Sequence, residues 1–599
     1  MKKRLWMTLA ASLAALCMTC GLTFASQAVV DQYTDKYEHQ SRFDDCIVID
    51  GIDVSEWQEN IDYDAVKKQG IDYVFIRVGK SASGENDPFI SKIDTQFEAH
   101  YQAAKDAGLM VGVYYFSAAT TLSEAETEAK NVITWLNDRQ LDLPVVMDYE
   151  ECERVSAAKI DMTSNALRFL NYIEANSDYD AMFYTARWLM DDEFISNLID
   201  SKYPIWISQY SYDHNINSYT RPFEFWQYTD SGQISGINGP VDCNFWYFDA
   251  NNYPASSGKT AISKATAKLS VTTYTYNGSV KTPAVTLTYN GATLRKGTDY
   301  QLSYIKNVKA GDAYALVKGI GKYDGYKVVQ FGVKIPLTAS NCTISDIPDQ
   351  TCTGSALKPA VKVYYQGKLL KKDVDYTVTY NNTKKVGTGT ATIKGIDQYS
   401  GTLKKTFAVK IGKPTSVKSN LRAAKTTGYD DVKVTWKKVP GASFYRVYYK
   451  KASSSSYQSY KKADGGDTTS KIIYGLTPGT KYNFKVIAYA PDGSKGSYSS
   501  VTSTTTLKKV SQNSVKKYSS SKVKVSWVNI SGETGYEISR SSKKSGTYVV
   551  ATVKSTSAKS KTLTVPTKGK RYYYKVRAYK LVDGVRVRGP WSEVKSYTL

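Results

Sequence analysis

Between residues 47 and 253, short apolar runs alternate with longer stretches whose apolar residues recur at helical spacing. Eight runs read as strands: I-V-I-D-G-I-D-V-S, Y-V-F-I-R-V-G, M-V-G-V-Y-Y-F, P-V-V-M-D-Y-E, A-M-F-Y-T-A-R, P-I-W-I-S-Q-Y, F-E-F-W-Q-Y-T and V-D-C-N-F-W. The amphipathic stretches between the first five, such as residues 90–107 and 122–138, predict helices. After residues 188–199 the helical stretches shrink and the last strands follow closely. The pattern predicts an α/β fold, a shortened TIM-like barrel over residues 48–253, with catalytic groups at the C-terminal strand ends.

Beyond this head the period changes to two. A Ser/Gly/Lys/Thr-rich link, P-A-S-S-G-K-T-A, leads into residues 266–336 and 342–412, which repeat each other at a constant offset of 76. Gly278 matches Gly354, Pro283 matches Pro359, Asp299-Tyr300 matches Asp375-Tyr376, and Phe331 matches Phe407. Alternating runs broken by Gly, Asn and Asp make each copy a small all-β module. Cys352 stands where the first copy has Tyr276, and Cys342 lies ten residues before it, so a disulfide between these two is expected. Residues 414–506 and 508–599 form a second pair, each with an early V-x-W (Val434-Thr435-Trp436; Val525-Ser526-Trp527) and a tyrosine on the next strand (Tyr445; Tyr536). Both end in an alternating run, Y-N-F-K-V-I-A-Y-A or Y-Y-Y-K-V-R-A-Y-K, and resemble the fibronectin type III sandwich. Four small all-β modules thus follow the barrel.

The most specific chemistry lies at the end of P-V-V-M-D-Y-E. In a strand Val146, Asp148 and Glu150 share one face, so two acids close an otherwise apolar element. Burying them costs several kcal/mol each, roughly, and their repulsion drives their pKa values apart. One carboxyl then keeps its proton while the other ionises, as glycosidic bond cleavage requires. A salt-bridged strand end is the plain alternative. Asp53 falls at another strand end, and Asp242 lies in the short eighth strand near the same face. The chain's three histidines, His39, His100 and His214, are scattered, which argues against a Ser-His-Asp triad, a papain-like site or a His-rich metal site. No metal or cofactor is expected.

Residues 1–25 read as a secretory signal, with Lys2, Lys3 and Arg4 before an apolar core and Thr23-Phe24-Ala25 as a cleavage site. No later run is long and apolar enough to span a bilayer, so a secreted protein without membrane insertion after cleavage is expected. The five cysteines beyond the leader, Cys46, Cys152, Cys243, Cys342 and Cys352, are too few for a disulfide scaffold. The 599-residue chain carries a net charge of +23, but unevenly. Residues 29–254 hold 39 acidic and 16 basic side chains, net −23, while residues 255–599 hold 17 and 60, net +43. A basic tail on an exported chain meets anionic cell-wall polymers or sulfated and sialylated host glycans rather than nucleic acid. The competing reading is that lysines merely guard exposed strand edges.

Six motifs occur in order: G-I-D-V-S-E-W-Q at Gly51, F-I-R-V-G-K-S-A-S-G at Phe75, D-Y-E at Asp148, W-I-S-Q-Y at Trp206, F-W-Q-Y-T at Phe225 and V-D-C-N-F-W at Val241. Over about residues 48 to 250, this series resembles glycoside hydrolase family 25, the Chalaropsis-type muramidases. The resemblance implies lysozyme activity on peptidoglycan at the wall. It implies that Glu150 is the general acid, that Asp148 supports the reaction centre, and that Asp53 and Asp242 complete an acidic floor. The substrate's acetamido carbonyl can then attack the anomeric carbon with Asp148 assisting, although direct attack by a carboxylate stays open. Among aromatic residues near the strand ends, Trp57, Tyr115, Tyr149, Tyr184, Trp206, Trp226 and Tyr228 serve either core packing or sugar stacking. Tyr115, Tyr184 and Trp226, with Gln227, are taken as substrate-binding candidates. Arg77 is either a substrate clamp or the buried partner of the carboxylates. Two other functions compete, a glycan-binding adhesion protein with a dead barrel and a chitinase-like glycosidase. The retained acids argue against the first, and the short head with its V-D-x-N ending argues against the second.

Overall fold

A computed structural model describes residues 36–599 apart from 85–86, 159–161, 195, 425–428 and 458; the expected signal at 1–25 lies outside the described residues. The chain divides into two compact units. The first runs through Leu337 and includes Gly395–Gly401; the second holds Thr338–Lys394 and Thr402–Leu599.

The head of the first unit is a closed barrel. Its elements are β1 (Ile47–Val54), α1 (Tyr63–Lys68), β2 (Tyr73–Ser81), β3 (Ser91–Ile93), α2 (Phe97–Asp106), β4 (Met110–Ser117), α3 (Leu122–Leu136), β5 (Val145–Tyr149), α4 (Glu153–Ala158), α5 (Met162–Asn176), β6 (Ala181–Ala186), α6 (Arg187–Asp192), α7 (Ser196–Asp200), β7 (Ile205–Ser208), β8 (Phe225–Gly232) and β9 (Val241–Phe248). Strand order is β1-β9-β8-β7-β6-β5-β4-β2, closed by a parallel β1–β2 pair, with β3 attached to the edge of β2. Around the barrel the neighbours from β1 through β2, β4, β5, β6 and β7 to β8 run parallel, whereas β3 is antiparallel to β2 and β9 is antiparallel to both β8 and β1. Helix starts are capped locally. The Asp62 carboxylate accepts from Ala65 N, and Thr121 Oγ accepts from Glu124 N while Glu124 reaches back to Thr120 N.

Both faces of the strands are buried. Ile52, Val54, Val74, Ile76 and Val113 pack outward under the helices, while Ile49, Tyr73, Phe75, Met110, Val146 and Trp206 fill the interior. Two glycines make room for the aromatic filling. A Cβ on Gly51 would lie 2.2 Å from Tyr73 Cζ, and one on Gly112 would lie 2.3 Å from Phe75 Cε1. Phe75 stacks on Trp206 at 4.7 Å and Phe225 on Trp246 at 5.2 Å. The barrel is therefore a solid plug below the rim formed by the C-terminal ends of its parallel strands.

The N-terminal end of that plug is closed by the first repeat, whose main sheet runs Thr273–Thr275, Tyr326–Pro336, Gly311–Gly319, Tyr300–Ile305. Ile305 and Leu316 are buried in one cluster with Ile49, Met110 and Phe248 of the barrel. Beside them Lys67 Nζ donates to Asp72 Oδ1 (2.7 Å) and to the Tyr304 carbonyl (3.2 Å), while Lys306 N donates to Asp72 Oδ2 (2.8 Å). A buried ion pair tolerates little loss of its remaining partners, because an uncompensated charge costs several kcal/mol, roughly. A chain ending near residue 254 is therefore expected to melt at a lower temperature than one ending near residue 337. The shift should be about 2–4 °C for each kcal/mol lost, read by calorimetry. Equal melting temperatures would show that the repeat contributes nothing to the barrel.

In the second unit the second repeat forms the sheets Cys342–Ile344, Val363–Tyr365, Lys368–Leu369 and Gln350–Thr351, Thr402–Lys410, Gly387–Gly395, Tyr376–Asn381. The expected Cys342–Cys352 disulfide is absent. Both cysteines are free: the Cys342 thiol turns to Asn341 Oδ1 (3.1 Å) and the Cys352 thiol to the Lys384 carbonyl (3.3 Å). Cys342 opens a strand of one sheet and Cys352 directly follows a strand of the other, which the ten-residue spacing does not reveal. Two sandwiches follow, each with a buried tryptophan against a tyrosine, Trp436–Tyr445 at 5.2 Å and Trp527–Tyr536 at 5.1 Å. Among the described residues no helix is long and apolar enough to cross a membrane.

Candidate active site

Alternation along the strands decides what faces the rim. Asp53 at the end of β1, Asp148 at the end of β5, Tyr184 on β6 and Gln227 on β8 project inward, above the aromatic plug. Glu150 follows the last residue of β5. Because β9 runs antiparallel, its beginning rather than its end reaches this rim, and Asp242 lies opposite Asp53 in register. The structure thus brings Asp53, Asp148, Glu150, Asp242, Tyr184 and Gln227 together.

A directional hydrogen-bond network fixes the floor. Trp206 Nε1 donates to Asn244 Oδ1 (2.9 Å), and Asn244 Nδ2 donates to Asp53 Oδ2 (2.8 Å). From the other side the hydroxyls of Tyr184 (2.8 Å) and Tyr210 (2.7 Å) donate to Gln227 Oε1, and Gln227 Nε2 donates to Asp53 Oδ2 (2.9 Å). Two amide donors on one oxygen suit a carboxylate anion. Burial raises the Asp53 pKa, and bonds from Asn244, Gln227 and Asp242 limit the rise. Asp242 is raised as well. Burial, the Asp53 charge and a hydrogen bond to Asp53 raise its pKa to about 9, so at neutral pH it carries the proton that this pair shares.

That assignment has a pH consequence. Folded Asp242 keeps its proton to about 9, whereas the unfolded chain releases it near the ordinary 3.8. Between those values the unfolded state binds fewer protons, so stability falls as pH rises. Asp242→Asn, whose amide still donates to Asp53, is expected to raise the melting temperature more at about pH 8 than at about pH 5, read by calorimetry. An equal shift at both would contradict the assignment.

Asp148 and Glu150 differ in their surroundings. Asp148 is 7% exposed, and its Oδ1 is buried with no hydrogen-bond partner among the described residues. Burial above all, then the charges of Glu150 and Asp53, push its pKa well up, with Arg77 opposing. Glu150 is half-buried. Burial raises its pKa too, and a hydrogen bond with Tyr184 restrains the rise. Four carboxyls at one rim cannot all ionise, and the site holds protons at neutral pH.

Arg77 fits neither sequence-based role closely. Its guanidinium donates to Asp94 Oδ2 (2.8 Å) and Glu56 Oε1 (3.0 Å), and it reaches Asp148 only through its field. Tyr115 and Trp226 are not at the rim. The Tyr115 hydroxyl bonds Ser81 Oγ and Ser91 Oγ (2.9 Å each) among the outer helices, near Trp135 and Phe169. Trp226 is fully buried in the outer layer, its Nε1 donating to the Gln209 carbonyl (3.0 Å). Their inward neighbours are Tyr114, whose hydroxyl feels Asp53, Asp148 and Asp242, and Gln227. Tyr149 also faces outward, its hydroxyl donating to the Ala119 carbonyl (2.5 Å). Sequence reasoning missed Tyr114, Tyr210 and Asn244. For Asn244 a signal existed, because the D-x-N of β9 places it on the face of Asp242 as D-x-E places Glu150 on that of Asp148. Beyond the ends of β6 and β7 a cavity of about 500 Å³ opens, lined by Arg187, Trp188, Asp191 and Tyr210.

Comparison with known proteins adds independent findings. The family model described as glycosyl hydrolases family 25 matches residues 52–237, and a fibronectin type III domain model matches residues 412–505. Over 200 residues the chain is 31% identical to the uncharacterized protein YegX of Escherichia coli K12, covering 33% of this chain and 68% of that one. It is 28% identical over 224 residues to lysozyme M1 of Streptomyces globisporus, covering 36% and 72%. Among solved structures, the modular autolysin LytC of Streptococcus pneumoniae aligns at 23% identity and a TM-score of 0.30, over 33% of this chain and 47% of that chain. The chain thus spans about half of that autolysin.

Proposed function

Because the chain belongs to glycosyl hydrolase family 25, and is a glycoside hydrolase of the lysozyme type, we propose that it cleaves peptidoglycan at the β-1,4 bond between N-acetylmuramic acid and N-acetylglucosamine. The observation that carries this reading is the unequal carboxyl pair at the end of β5: Glu150 half-buried on Tyr184, and Asp148 enclosed with an unfilled acceptor oxygen.

In the proposed mechanism Glu150 gives its proton to the leaving glycosidic oxygen as the C–O bond breaks. An acetamido N–H of the substrate fills Asp148 Oδ1, which aligns the acetamido carbonyl for attack on the anomeric carbon. Water then opens the resulting ring and returns a proton to Glu150, so the configuration is retained. Asp53, held as an anion by Asn244 and Gln227, favours the positive charge that develops at the anomeric centre. Asp242 keeps the shared proton and Tyr184 positions Glu150.

The protein is proposed to be secreted, with the basic tail holding the acidic head at an anionic wall. Tethering raises the local concentration of the head without any new contact at the active site. A solubilisation assay on purified peptidoglycan and on chitin tests the reading. Release from peptidoglycan alone is expected. Release from chitin alone would make the protein a chitinase-like enzyme, and release from neither would make it a binding protein.

A further inference from the structure

We propose that the first fibronectin type III module carries an anionic-glycan binding face, built from tyrosines and cations on the outer side of its four-stranded sheet. The inference gives the proposed tethering role a specific site, and it does not depend on the cleavage chemistry.

In this sheet Phe444–Lys451 lies between Ser459–Asp464 and Lys481–Tyr489. Tyr445 and Val447 are buried in the sandwich core, so Phe444, Arg446, Tyr448 and Lys450 face outward. Cross-strand register sets Lys462 beside Arg446, Tyr460 beside Tyr448, and Lys485 on the other side of Tyr448. The Tyr448 ring lies 5.2 Å from Tyr460 and 5.5 Å from Tyr498, which makes a track of rings across the sheet. Tyr460 and Tyr498 remain 45% and 43% exposed. Arg446 lies over Tyr460 at 4.6 Å and Lys485 over Tyr498 at 3.5 Å. Asp464, the carboxylate on this face, is paired with Lys462 at 2.7 Å.

Cross-strand aromatic and cation–π pairs stabilise sheets in general. The second module tests whether this sheet needs them. There Glu537 stands where the first module has Arg446, Ser539 stands for Tyr448 and Gly535 for Phe444. Glu537 accepts from Arg577 (2.7 Å), Arg586 (2.8 Å) and Arg588 (3.1 Å), so its cations are consumed within the module. The same sheet therefore folds with a closed ionic cluster, and the ring track of the first module exceeds what folding requires.

Ring faces stack on the C–H faces of sugars, and Arg446, Lys450 and Lys485 match carboxylate, sulfate or phosphate groups. Single-stranded nucleic acid is bound by a related combination of rings and cations. The glycan is favoured because the same chain carries a glycoside hydrolase, which the tail would bring to its substrate's surroundings.

The full chain is to be titrated with dextran sulfate, neutral dextran, polyphosphate and oligothymidylate. Dextran sulfate is expected to bind best. Tyr460→Ser with Tyr498→Ser should weaken it about tenfold, Tyr460→Phe with Tyr498→Phe should not, and cleavage of soluble peptidoglycan fragments should be unchanged in both. In the unsubstituted chain, dextran sulfate should protect Tyr460 and Tyr498 from nitration by tetranitromethane. Equal binding by the serine variant, equal or tighter binding of polyphosphate or oligothymidylate, or unprotected tyrosines would overturn the proposal. Binding without any cleavage by the unsubstituted chain would count against the hydrolase reading alone.

Discussion

Glu150→Gln is expected to lower the rate of peptidoglycan cleavage by about 10²- to 10⁴-fold, the usual worth of a positioned acid, without changing the melting temperature by much. The amide keeps the size of the side chain and its contact with Tyr184, but it has no acidic proton to give. Burial already raises the Glu150 pKa, which keeps the group protonated further towards neutral pH. Turnover on purified peptidoglycan, with thermal unfolding as the folding control, checks the expectation. A folded variant with near-normal turnover would remove Glu150 from the role of acid.

Asp148→Asn is expected to slow cleavage by about 10²- to 10³-fold, the loss seen when a preorganised electrostatic group is removed. In the proposed mechanism the acetamido N–H supplies the donor that Asp148 Oδ1 lacks and favours its ionised form, and the substitution removes the negative charge that then supports the acetamido group as it becomes cationic. It also relieves the crowding of carboxyls, so the Asn variant should be no less stable than the parent. The same account expects failure on glycan from which the N-acetyl groups have been removed. Equal rates on acetylated and de-N-acetylated glycan would exclude the acetamido route and favour direct attack by water or a carboxylate.

The barrel was legible because its strands and helices have distinct periods, and the acids because they interrupt apolar runs. In P-V-V-M-D-Y-E the polar positions themselves mark the inward face, and the structure places Asp148 on it. In M-V-G-V-Y-Y-F both faces are apolar, as expected for a strand buried on both sides, and parity cannot be read from composition. The pattern therefore does not separate Tyr115 from Tyr114, and it is Tyr114 that faces the site. The pairing of β2 with β4 also shifts between Arg77 and Gly79, which no local pattern announces. In F-W-Q-Y a buried glutamine between two aromatic residues marks the polar interior, so Gln227 faces the site as expected and Trp226 lies outside. Tyr210 carries no signal in the strand pattern, because it follows its strand and joins the site through one bond to Gln227. The packing of the first repeat against the barrel was not legible at all. It rests on Ile305, Leu316 and the Lys67–Asp72 pair, which are far apart in sequence.

The central claim is that this rim of carboxyls cuts the glycan on the reducing side of N-acetylmuramic acid. The direct test is to digest purified peptidoglycan with the full chain, reduce the products with borohydride and identify the sugar at the new chain ends. The account predicts N-acetylmuramitol, absent when Glu150→Gln replaces the parent. N-acetylglucosaminitol at those ends would contradict it.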